Sequence, residues 1–316
     1  MPHPSSIETQ SSPLSGLHLL LTYECNYECD HCFVWGTPSQ SGTMTVEIIE
    51  HILSQAEALG TIEWIYFEGG EAFLYYEILG AGIRSAKESG FNVGIVTNAF
   101  WATTDTDAME WLKPFAGLVD DLSISRDAYH GNDESPEHPE IARRIAQQLS
   151  IPVDFISVAE PGAVDIEGAA GQLPPGESAV LFRGRAAEVL ASRVEAKPWE
   201  QFIECPWEDL REPERVHVDP FGNLHICQGI SIGNLLKRPL TEIIADYDAD
   251  DHPIVGPLLA GGPAEIVRRY GLSHEESYAD HCHLCYKSRC ALRKRFPDVL
   301  TPDQMYGTPR RIPIGE

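Results

Sequence analysis

Three cysteines lie close together near the start of the chain, at Cys25, Cys29 and Cys32, in a C-x3-C-x2-C spacing. In a chain without a secretory signal, thiols at such short spacing more often bind metal than form disulfides. Three thiolates on a four-iron cluster would leave one iron without a protein ligand and open to an exogenous chelator. A structural zinc ion would instead need four ligands, and His31 could complete that set. The spacing of these three residues, the N-terminal cysteine group, leaves both alternatives open.

Predicted strands and predicted helices, which must position these thiols, alternate along the chain. Apolar stretches of strand length occur at residues 17–22, 62–67, 91–97, 118–125, 152–158 and 179–182. Segments with helical periodicity occur between them, at residues 45–60, 74–89, 105–112 and 137–149. This alternation predicts parallel strands with right-handed crossovers. Six strands are too few for a closed eightfold barrel, so we expect an α/β fold with a partial (β/α)6 barrel and ligand loops at the carboxyl ends of its strands.

The alternation fades near residue 190, where we place a domain boundary. Residues 1–16 are rich in Ser and Pro and are expected to form a flexible arm. Residues 17–190 would form the core domain, and residues 191–316 a small cysteine-rich extension with a tail. Within the core, residues 161–178 contain too much glycine and proline for more than a short helix, so we expect a loop there.

A second motif follows the second predicted strand, in the sequence Glu68-Gly69-Gly70-Glu71. A C-x3-C-x2-C loop after the first strand and a GGE loop after the second resemble the radical S-adenosylmethionine (SAM) superfamily. The resemblance implies that the N-terminal cysteine group holds a [4Fe-4S] cluster whose open iron takes the amino and carboxylate groups of SAM. It also implies that Gly69, Gly70 and Glu71 receive the methionyl amino group. His31, at a usually aromatic position, would lie near the adenine.

Other strand ends carry polar residues that the same resemblance places near SAM. Asn98 follows the third strand, and Ser123 and Ser125 end the fourth, where relatives contact the SAM ribose or carboxylate. Arg185 lies in a Gly-Arg-Ala run that resembles an adenine-wrapping element. For each of these residues, ordinary loop or cap chemistry is an equal alternative. The polar run at residues 126–130 lies at the same rim and would either face a substrate or be a solvated loop.

Five more cysteines lie in the last third of the chain. Residues 216–227 predict a β-hairpin with its turn at 220–223, and a C-x2-C pair follows it. This region resembles the SPASM/Twitch extension of radical SAM enzymes, and five cysteines rather than seven favour the Twitch form with one auxiliary [4Fe-4S] cluster. The implied ligands, named below the C-terminal cysteine group, are Cys205, Cys227, Cys282 and Cys285. Cys290 would then be a spare thiol or a replacement ligand, and zinc remains the alternative metal.

The resemblance implies an enzyme that cleaves SAM reductively to methionine and a 5′-deoxyadenosyl radical, which takes a hydrogen atom from a substrate. The auxiliary cluster would accept an electron or orient the substrate, giving a net oxidation or a rearrangement. Peptide maturases often carry a leader-binding domain, whereas only a short arm precedes the first strand here. A small-molecule substrate is therefore favoured over a ribosomally made peptide. A non-catalytic iron–sulfur or zinc sensor or scaffold is the alternative of another class.

Charge limits the partners of this chain. Its 316 residues include 23 basic and 48 acidic side chains, and a net charge of −25 argues against nucleic acid or an anionic membrane as partner. No apolar run is long enough to span a bilayer and no signal peptide is present, so we expect a cytoplasmic protein. One basic patch would dock an acidic electron donor such as a flavodoxin or ferredoxin, or be a solvated helix face. It consists of Lys287, Arg289, Arg293, Lys294 and Arg295.

Overall fold

The computed structural model describes residues 14–130, 137–161 and 177–308. The predicted arm at residues 1–16 and the predicted loop at residues 161–178 therefore lie almost wholly outside the described residues. Within them, strands and helices alternate over the first half of the chain. They are β1 (Gly16–Thr22), α1 (Val46–Leu59), β2 (Trp64–Gly69), α2 (Tyr76–Glu88), β3 (Asn92–Thr97), α3 (Asp105–Leu112), β4 (Asp121–Ser125), α4 (His138–Gln148) and β5 (Val153–Val158).

The strands β1 to β5 pair in parallel with their neighbours in chain order, which confirms the parallel arrangement predicted from the alternation. The end signals of α1 are confirmed as well. The side chain of Thr45 accepts a hydrogen bond from the backbone N–H of Ile48, and Gly60 ends the helix with a left-handed φ of 77°. Local capping chemistry thus fixes where this helix begins and ends.

The sixth predicted strand, at residues 179–182, is wrong. The strand in this region, β6 (Glu177–Ser178), has two residues and pairs in parallel with β5. Val180 and Phe182 bury their side chains in a small apolar cluster of their own. The backbone N–H of Phe182 donates to the carboxylate of Asp280 rather than to a neighbouring strand. The apolar run therefore serves side-chain burial and not sheet pairing.

The rest of the described chain adds a hairpin, short strands and four helices to this sheet. They are α5 (Ala186–Val189), β7 (Lys197–Pro198), β8 (Arg215–Val218), β9 (Asn223–Cys227), β10 (Ile230–Asn234), α6 (Leu240–Asp246), α7 (Val255–Tyr270), β11 (Ser277–Tyr278) and α8 (His281–Leu292). β8 and β9 form the predicted hairpin, whose turn includes Gly222 at a φ of 79°. β7 and β11 pair with each other in a separate small sheet.

The main sheet of the described chain has nine strands, in the order β10-β9-β8-β1-β2-β3-β4-β5-β6. β8 pairs in parallel with β1, with residues 215–218 beside residues 16–19. The sheet is therefore continuous across the domain boundary predicted near residue 190. A mostly parallel sheet with crossover helices fits the expected partial α/β barrel, with the C-terminal hairpin added at the edge beside β1.

Each strand separates an apolar face from a more polar one, because successive side chains point to opposite faces. Side chains such as Leu19, Phe67 and Ile124 are fully buried in the main core, which they share with the helices. Burial of such a side chain contributes about 1.5–3 kcal/mol. The opposite face of the same strands carries His18, Tyr66, Glu68, Asp121, Ser123, Ser125 and His217. The helices thus stabilise the sheet from one side, and the other side presents polar groups.

Candidate functional site

The N-terminal cysteine group lies in the loop that follows β1. Cys25 and Cys29 are buried, and Cys32 is half-buried. Backbone N–H groups point at the sulfurs, from Tyr27 to Cys25 at 3.4 Å and from Gly36 to Cys32 at 3.2 Å. Burial raises the pKa of Cys25 to about 12, so a thiolate here needs a positive partner such as a metal centre. The loop therefore presents three buried or half-buried sulfurs, two of which accept backbone hydrogen bonds.

The spacing of the thiols bears on the kind of metal. In the described part of the chain, two sets of three His, Cys, Asp or Glu side chains bring ligand atoms within 4.8 Å of one another, and neither set contains a cysteine. Around a tetrahedral zinc ion with Zn–S bonds of 2.3 Å, neighbouring sulfurs would be about 3.8 Å apart. The sulfurs of both cysteine groups are spread more widely than one zinc ion requires. His31 belongs to one of the two sets, with Asp127 and His130, and not to a set with the cysteines.

The GGE loop lies directly against the cysteine loop. The backbone N–H of Gly70 donates to the carbonyl of Thr22 at 2.7 Å, and that of Glu71 donates to the carbonyl of Glu24 at 2.9 Å. A Cβ atom added to Gly70 would lie 2.1 Å from the Glu24 carbonyl oxygen, so only glycine fits this close approach. The two loops that the sequence analysis singled out thus form one wall, joined by backbone hydrogen bonds next to Cys25.

The side chain of Glu71 is buried within this wall. Its carboxylate accepts hydrogen bonds from the backbone N–H of Phe73 at 3.0 Å, from the hydroxyl of Thr97 at 2.9 Å and from the backbone N–H of Asn98 at 2.7 Å. Burial raises the pKa of Glu71 to about 7, although these hydrogen bonds oppose the shift. Through these hydrogen bonds the carboxylate joins the end of β3 to the loop after β2.

The remaining predicted SAM contacts differ in where the structure puts them. Asn98 lines the cavity next to the cysteine loop, and its side-chain amide donates to Asn26 at 2.9 Å. Ser125 also lines this cavity, whereas Ser123 lies further back on β4 and donates to Asp121 at 3.1 Å. Arg185 is 4% exposed and does not line the cavity. It contacts the backbone of the cysteine loop instead.

Arg185 stabilises the cysteine loop through hydrogen bonds to its backbone. Its guanidinium donates to the carbonyl of Cys29 at 2.7 Å and to the carbonyl of Gly36 at 2.8 Å. Its own backbone N–H donates to the carbonyl of Cys32 at 3.0 Å. The preceding residue, Gly184, has a φ of 61° and packs against the backbone of Phe33. The Gly-Arg pair is thus a brace for the N-terminal cysteine group.

The cavity in front of this wall has a volume of about 480 Å³. All three cysteines of the N-terminal group, the GGE loop and His31 line one part of it. Apolar side chains also contribute, among them Phe33, Val96 and Ile156. The volume lies in the range of about 300–1,000 Å³ that is usual for small-molecule sites.

The polar run at residues 126–130 divides between the cavity and the surface. Asp127 and His130 line the cavity, and the Nδ1 atom of His130 lies 2.7 Å from the Asp127 carboxylate. Arg126 is exposed and pairs with Glu140 at 2.9 Å. His31 lies 3.5 Å from Asp127, and burial lowers the pKa of His31 to about 4, so this imidazole is neutral at physiological pH.

The C-terminal cysteine group also comes together in space. Its four cysteines line a second, narrow pocket between the hairpin, the loop before it and α8. Cys290 does not line this pocket and lies beside Tyr286. Burial raises the pKa of every thiol in the group for which a shift is resolved, to about 12 for Cys205. Sequence positions far apart thus bring four sulfurs, those of one buried and three half-buried cysteines, to one pocket.

Two guanidinium groups flank this second pocket, that of Arg183, which is half-buried, and that of Arg289, which is buried. Arg183 lies 3.5 Å from the sulfur of Cys227 and donates to Glu208 at 3.2 Å. Arg289 is 1% exposed and donates to the carbonyl of Gln228, to its side-chain oxygen at 3.1 Å and to the hydroxyl of Tyr306 at 3.4 Å. No carboxylate pairs with Arg289 among the residues that the structure describes. A buried cation without a carboxylate calls for another negative group nearby.

The predicted basic patch is therefore wrong for Arg289. This residue lies one helical turn after Cys285 on α8 and points inward, to Gln228 and Tyr306. Lys287 pairs with Glu188 at 2.8 Å, and Arg293 pairs with Asp303. Lys294 and Arg295 are exposed, so the five residues do not form one solvated basic face.

The sequence analysis missed several residues of the cavity wall, among them His18, Glu68, Arg183 and His217. The sequence carried only a weak signal for them. His18 and His217 are isolated polar residues between apolar neighbours, and Glu68 was quoted only as the neighbour of the GGE loop. A polar side chain on the inner face of a barrel strand becomes a candidate only once the register of the strands is known.

Comparison with known proteins bears on the family. The chain is similar to the putative peptide biosynthesis protein YydG of Bacillus subtilis (strain 168), with 32% identity over 111 residues, 35% of this chain and 35% of that protein. It is also similar to the S-adenosylmethionine-dependent nucleotide dehydratase of Fibrobacter sp. (strain UWH6), with 28% identity over 119 residues, 34% of this chain and 32% of that protein. The matches span about a third of the length of these relatives.

A solved structure, native anSMEcpe with bound AdoMet, covers 90% of this chain and 97% of its own at 14% identity, with a TM-score of 0.49. Among the described residues, no helix combines the length and apolar character needed to cross a bilayer. Residues 19–148 match the family model described as the Radical SAM superfamily. This range contains the N-terminal cysteine group and the GGE loop, and the chain therefore carries a radical SAM superfamily domain.

Proposed function

We propose that the protein is a radical SAM enzyme that binds a [4Fe-4S] cluster on Cys25, Cys29 and Cys32 and binds SAM in the adjoining cavity. The observation that carries this proposal is the backbone pairing of the GGE loop with the cysteine loop, through the Gly70 and Glu71 hydrogen bonds at 2.7 and 2.9 Å. When bound, the cluster supplies the electron that splits SAM into methionine and a 5′-deoxyadenosyl radical, which takes a hydrogen atom from the substrate.

The residues of the chain hold this site and shield it. Glu71 fixes the GGE loop to the end of β3, and Arg185 fixes the cysteine loop at the Cys29 and Gly36 carbonyls. Asn98 and Ser125 offer polar contacts for the SAM amino acid or ribose, and His31 offers a neutral ring for the adenine. Phe33 and other apolar wall residues exclude water from the place where the radical would react.

We further propose that the C-terminal cysteine group holds one auxiliary [4Fe-4S] cluster, as in the Twitch form of the SPASM/Twitch extension. The buried guanidinium of Arg289 supports this, because four thiolates around a cluster would supply the negative charge that this cation lacks. Arg183, 3.5 Å from the sulfur of Cys227, places a second cation beside the same pocket. Arg183 lines both the cavity and the second pocket, so a substrate in the cavity would lie beside the auxiliary cluster. This arrangement supports an oxidation in which the cluster accepts the electron of the substrate radical.

We propose a small molecule as the substrate, because the cavity of about 480 Å³ has the size of a small-molecule site. A peptide is the second candidate, and the similarity to a protein named for peptide biosynthesis favours it. Incubation with each substrate class, followed by a search for a product that differs by two hydrogens, separates the two candidates. A flavodoxin or ferredoxin would supply the electron in the cytoplasm.

The test of the core proposal is formation of 5′-deoxyadenosine. Protein reconstituted with iron and sulfide without oxygen is reduced, mixed with SAM and followed by mass spectrometry. We expect 5′-deoxyadenosine from the natural protein and none from Cys29→Ala. Full cluster loading without 5′-deoxyadenosine would contradict an enzyme and favour a sensor or scaffold.

The auxiliary cluster has its own test, with a matched control in the chain. Two four-iron clusters predict about eight irons per chain. We expect Cys285→Ala to hold about four irons, whereas Cys290→Ala should keep the full number because Cys290 lies outside the second pocket. Stoichiometric zinc in the natural protein, or equal iron loss in both variants, would refute the assignment.

A further inference from the structure

Two histidines and one glutamate meet on the inner face of the sheet, in the cavity that the N-terminal cysteine group also lines. His18 of β1 and His217 of β8 are direct partners in the parallel register, and Glu68 lies near the end of β2 on the other side of β1. Ligand atoms of the three side chains all lie within 4.8 Å of one another. Three adjacent strands thus deliver one chelating set.

The distances within the set match those around a metal ion. The Nδ1 atom of His18 lies 3.2 Å from one oxygen of Glu68, and the Nε2 atom of His217 lies 3.1 Å from the other. Ligands bound at 2.0–2.2 Å around a common ion are themselves about 3.0–3.5 Å apart. The three groups therefore need little movement to share an ion.

The carboxylate of Glu68 lies between the two imidazoles. Its Oε2 atom lies 3.2 Å from Nδ1 of His18, and its buried Oε1 atom lies 3.1 Å from Nε2 of His217. Both oxygens are therefore directed at ring nitrogens, so the negative charge of the carboxylate is next to the two nitrogen donors that a metal ion would share with it.

Neighbouring rings hold the two imidazoles in position. Tyr66 stacks on His18 with ring centroids 4.7 Å apart, and the Tyr66 hydroxyl donates to Asp121 at 3.1 Å. The edge of Phe33 packs on His217 with centroids 6.2 Å apart. Supporting contacts of this kind orient metal ligands in proteins.

The nearby Arg183 and Arg215 pair with a carboxylate other than that of Glu68. Arg183 and Arg215 line the same cavity, and both lie within ion-pair distance of Glu208, at 3.2 and 3.9 Å. The carboxylate of Glu68 therefore pairs with the two histidines, and its negative charge is available to bind a cation.

We propose that His18, Glu68 and His217 bind one divalent first-row metal ion, because two imidazoles and one carboxylate form the ligand set that leaves such ions open positions for further ligands. All three residues line the cavity, so these open positions face it. An oxygen or nitrogen donor of the substrate would bind there, which orients the substrate beside the SAM site. This metal site is independent of the proposed radical chemistry.

Mn²⁺ is a suitable probe because it prefers oxygen and nitrogen ligands to thiolates. Cluster-reconstituted protein in excess Mg²⁺, which covers the acidic surface, is titrated with Mn²⁺, and free Mn²⁺ is measured by electron paramagnetic resonance. We expect one tightly held Mn²⁺ per chain. Pulsed measurements on this ion should show nitrogen couplings from two imidazoles. Absence of a tight site, or of imidazole couplings at it, would overturn the proposal without any variant.

Variants test the individual ligands. Removing a supporting residue of a metal site typically weakens binding about 10–100-fold, so we expect at least a tenfold loss for the ligand substitutions Glu68→Gln and His217→Gln. His274→Gln removes an exposed histidine outside the cavity and should bind Mn²⁺ as the natural protein does. Folded Glu68→Gln and His217→Gln proteins that bind Mn²⁺ with natural affinity would refute these ligands.

Discussion

The backbone N–H of Asn98 donates to the carboxylate of Glu71 at 2.7 Å, which joins the end of β3 to the GGE loop. Glu71 is buried and also accepts from Thr97 and from the N–H of Phe73. The glutamate of the motif is therefore part of the wall that shapes the cavity, in addition to any contact with a ligand.

Replacement of Glu71 by alanine should destabilise the protein. The change leaves buried donors of Thr97, Asn98 and Phe73 without an acceptor, and each unsatisfied group costs about 1–3 kcal/mol. Urea unfolding measures the loss of stability. Glu77→Gln, an exposed change at the start of α2, is the control and should have almost no effect. Equal stability of the two variants would contradict the structural role of Glu71.

The same residue predicts how stability depends on pH. Burial raises the pKa of Glu71 from its usual 4.5 to about 7. Between these values the folded protein binds a proton that the unfolded chain has lost, so this group makes stability fall as the pH rises from about 4.5 to about 7. Comparison of urea midpoints at about pH 5.5 and about pH 8 should show a smaller pH dependence in Glu71→Gln than in the natural protein. An unchanged pH dependence would mean that Glu71 titrates normally.

Replacement of Arg289 should affect the auxiliary site through its charge. Arg289→Met removes a buried cation next to the C-terminal cysteine group, whereas Arg289→Lys keeps the positive charge. We expect the iron content of Arg289→Met to fall from about eight towards about four per chain, with partial recovery in Arg289→Lys. Lys294→Met, at an exposed position nearby, should keep its iron. Full iron and an unchanged reduction potential in Arg289→Met would show that the guanidinium only fills space.

Replacement of Arg185 should affect the cluster that we propose on the N-terminal cysteine group. Arg185→Met removes the donors to the Cys29 and Gly36 carbonyls, so the cysteine loop loses its brace. We expect less iron on the N-terminal cysteine group and little 5′-deoxyadenosine, and excess SAM should not restore it. The control is Arg193→Met, because that side chain is about half exposed. If excess SAM restores activity in Arg185→Met, the residue acts in SAM binding instead.

Local sequence signals predicted much of the fold. Strands β1 to β5 have an apolar face that the sequence reveals directly, and helix α1 is marked by Thr45 and Gly60. The failure at residues 179–182 has a physical reason. An apolar run shows that side chains will be buried, but it does not show whether the backbone will find a strand as its hydrogen-bond partner.

The candidate site also contains residues that the sequence could predict and residues that it could not. The N-terminal cysteine group could be predicted, because spacing within one loop is a local property of the sequence. The C-terminal cysteine group spans residues 205–285, so its members were grouped through the family resemblance and not through spacing. The set of His18, Glu68 and His217 could not be predicted, since the three residues come from separate strands and meet only through the sheet register. The burial of Arg289 could not be predicted either, because its charge does not show that its side of α8 faces the interior.

The pairing of β8 with β1 fixes how the two cysteine-bearing regions can move. Residues 215–218 are hydrogen-bonded alongside residues 16–19, immediately before the loop with Cys25. The two cysteine-bearing regions are therefore joined through a shared ladder, and the extension cannot move away from β1 as a rigid lid without breaking main-chain hydrogen bonds.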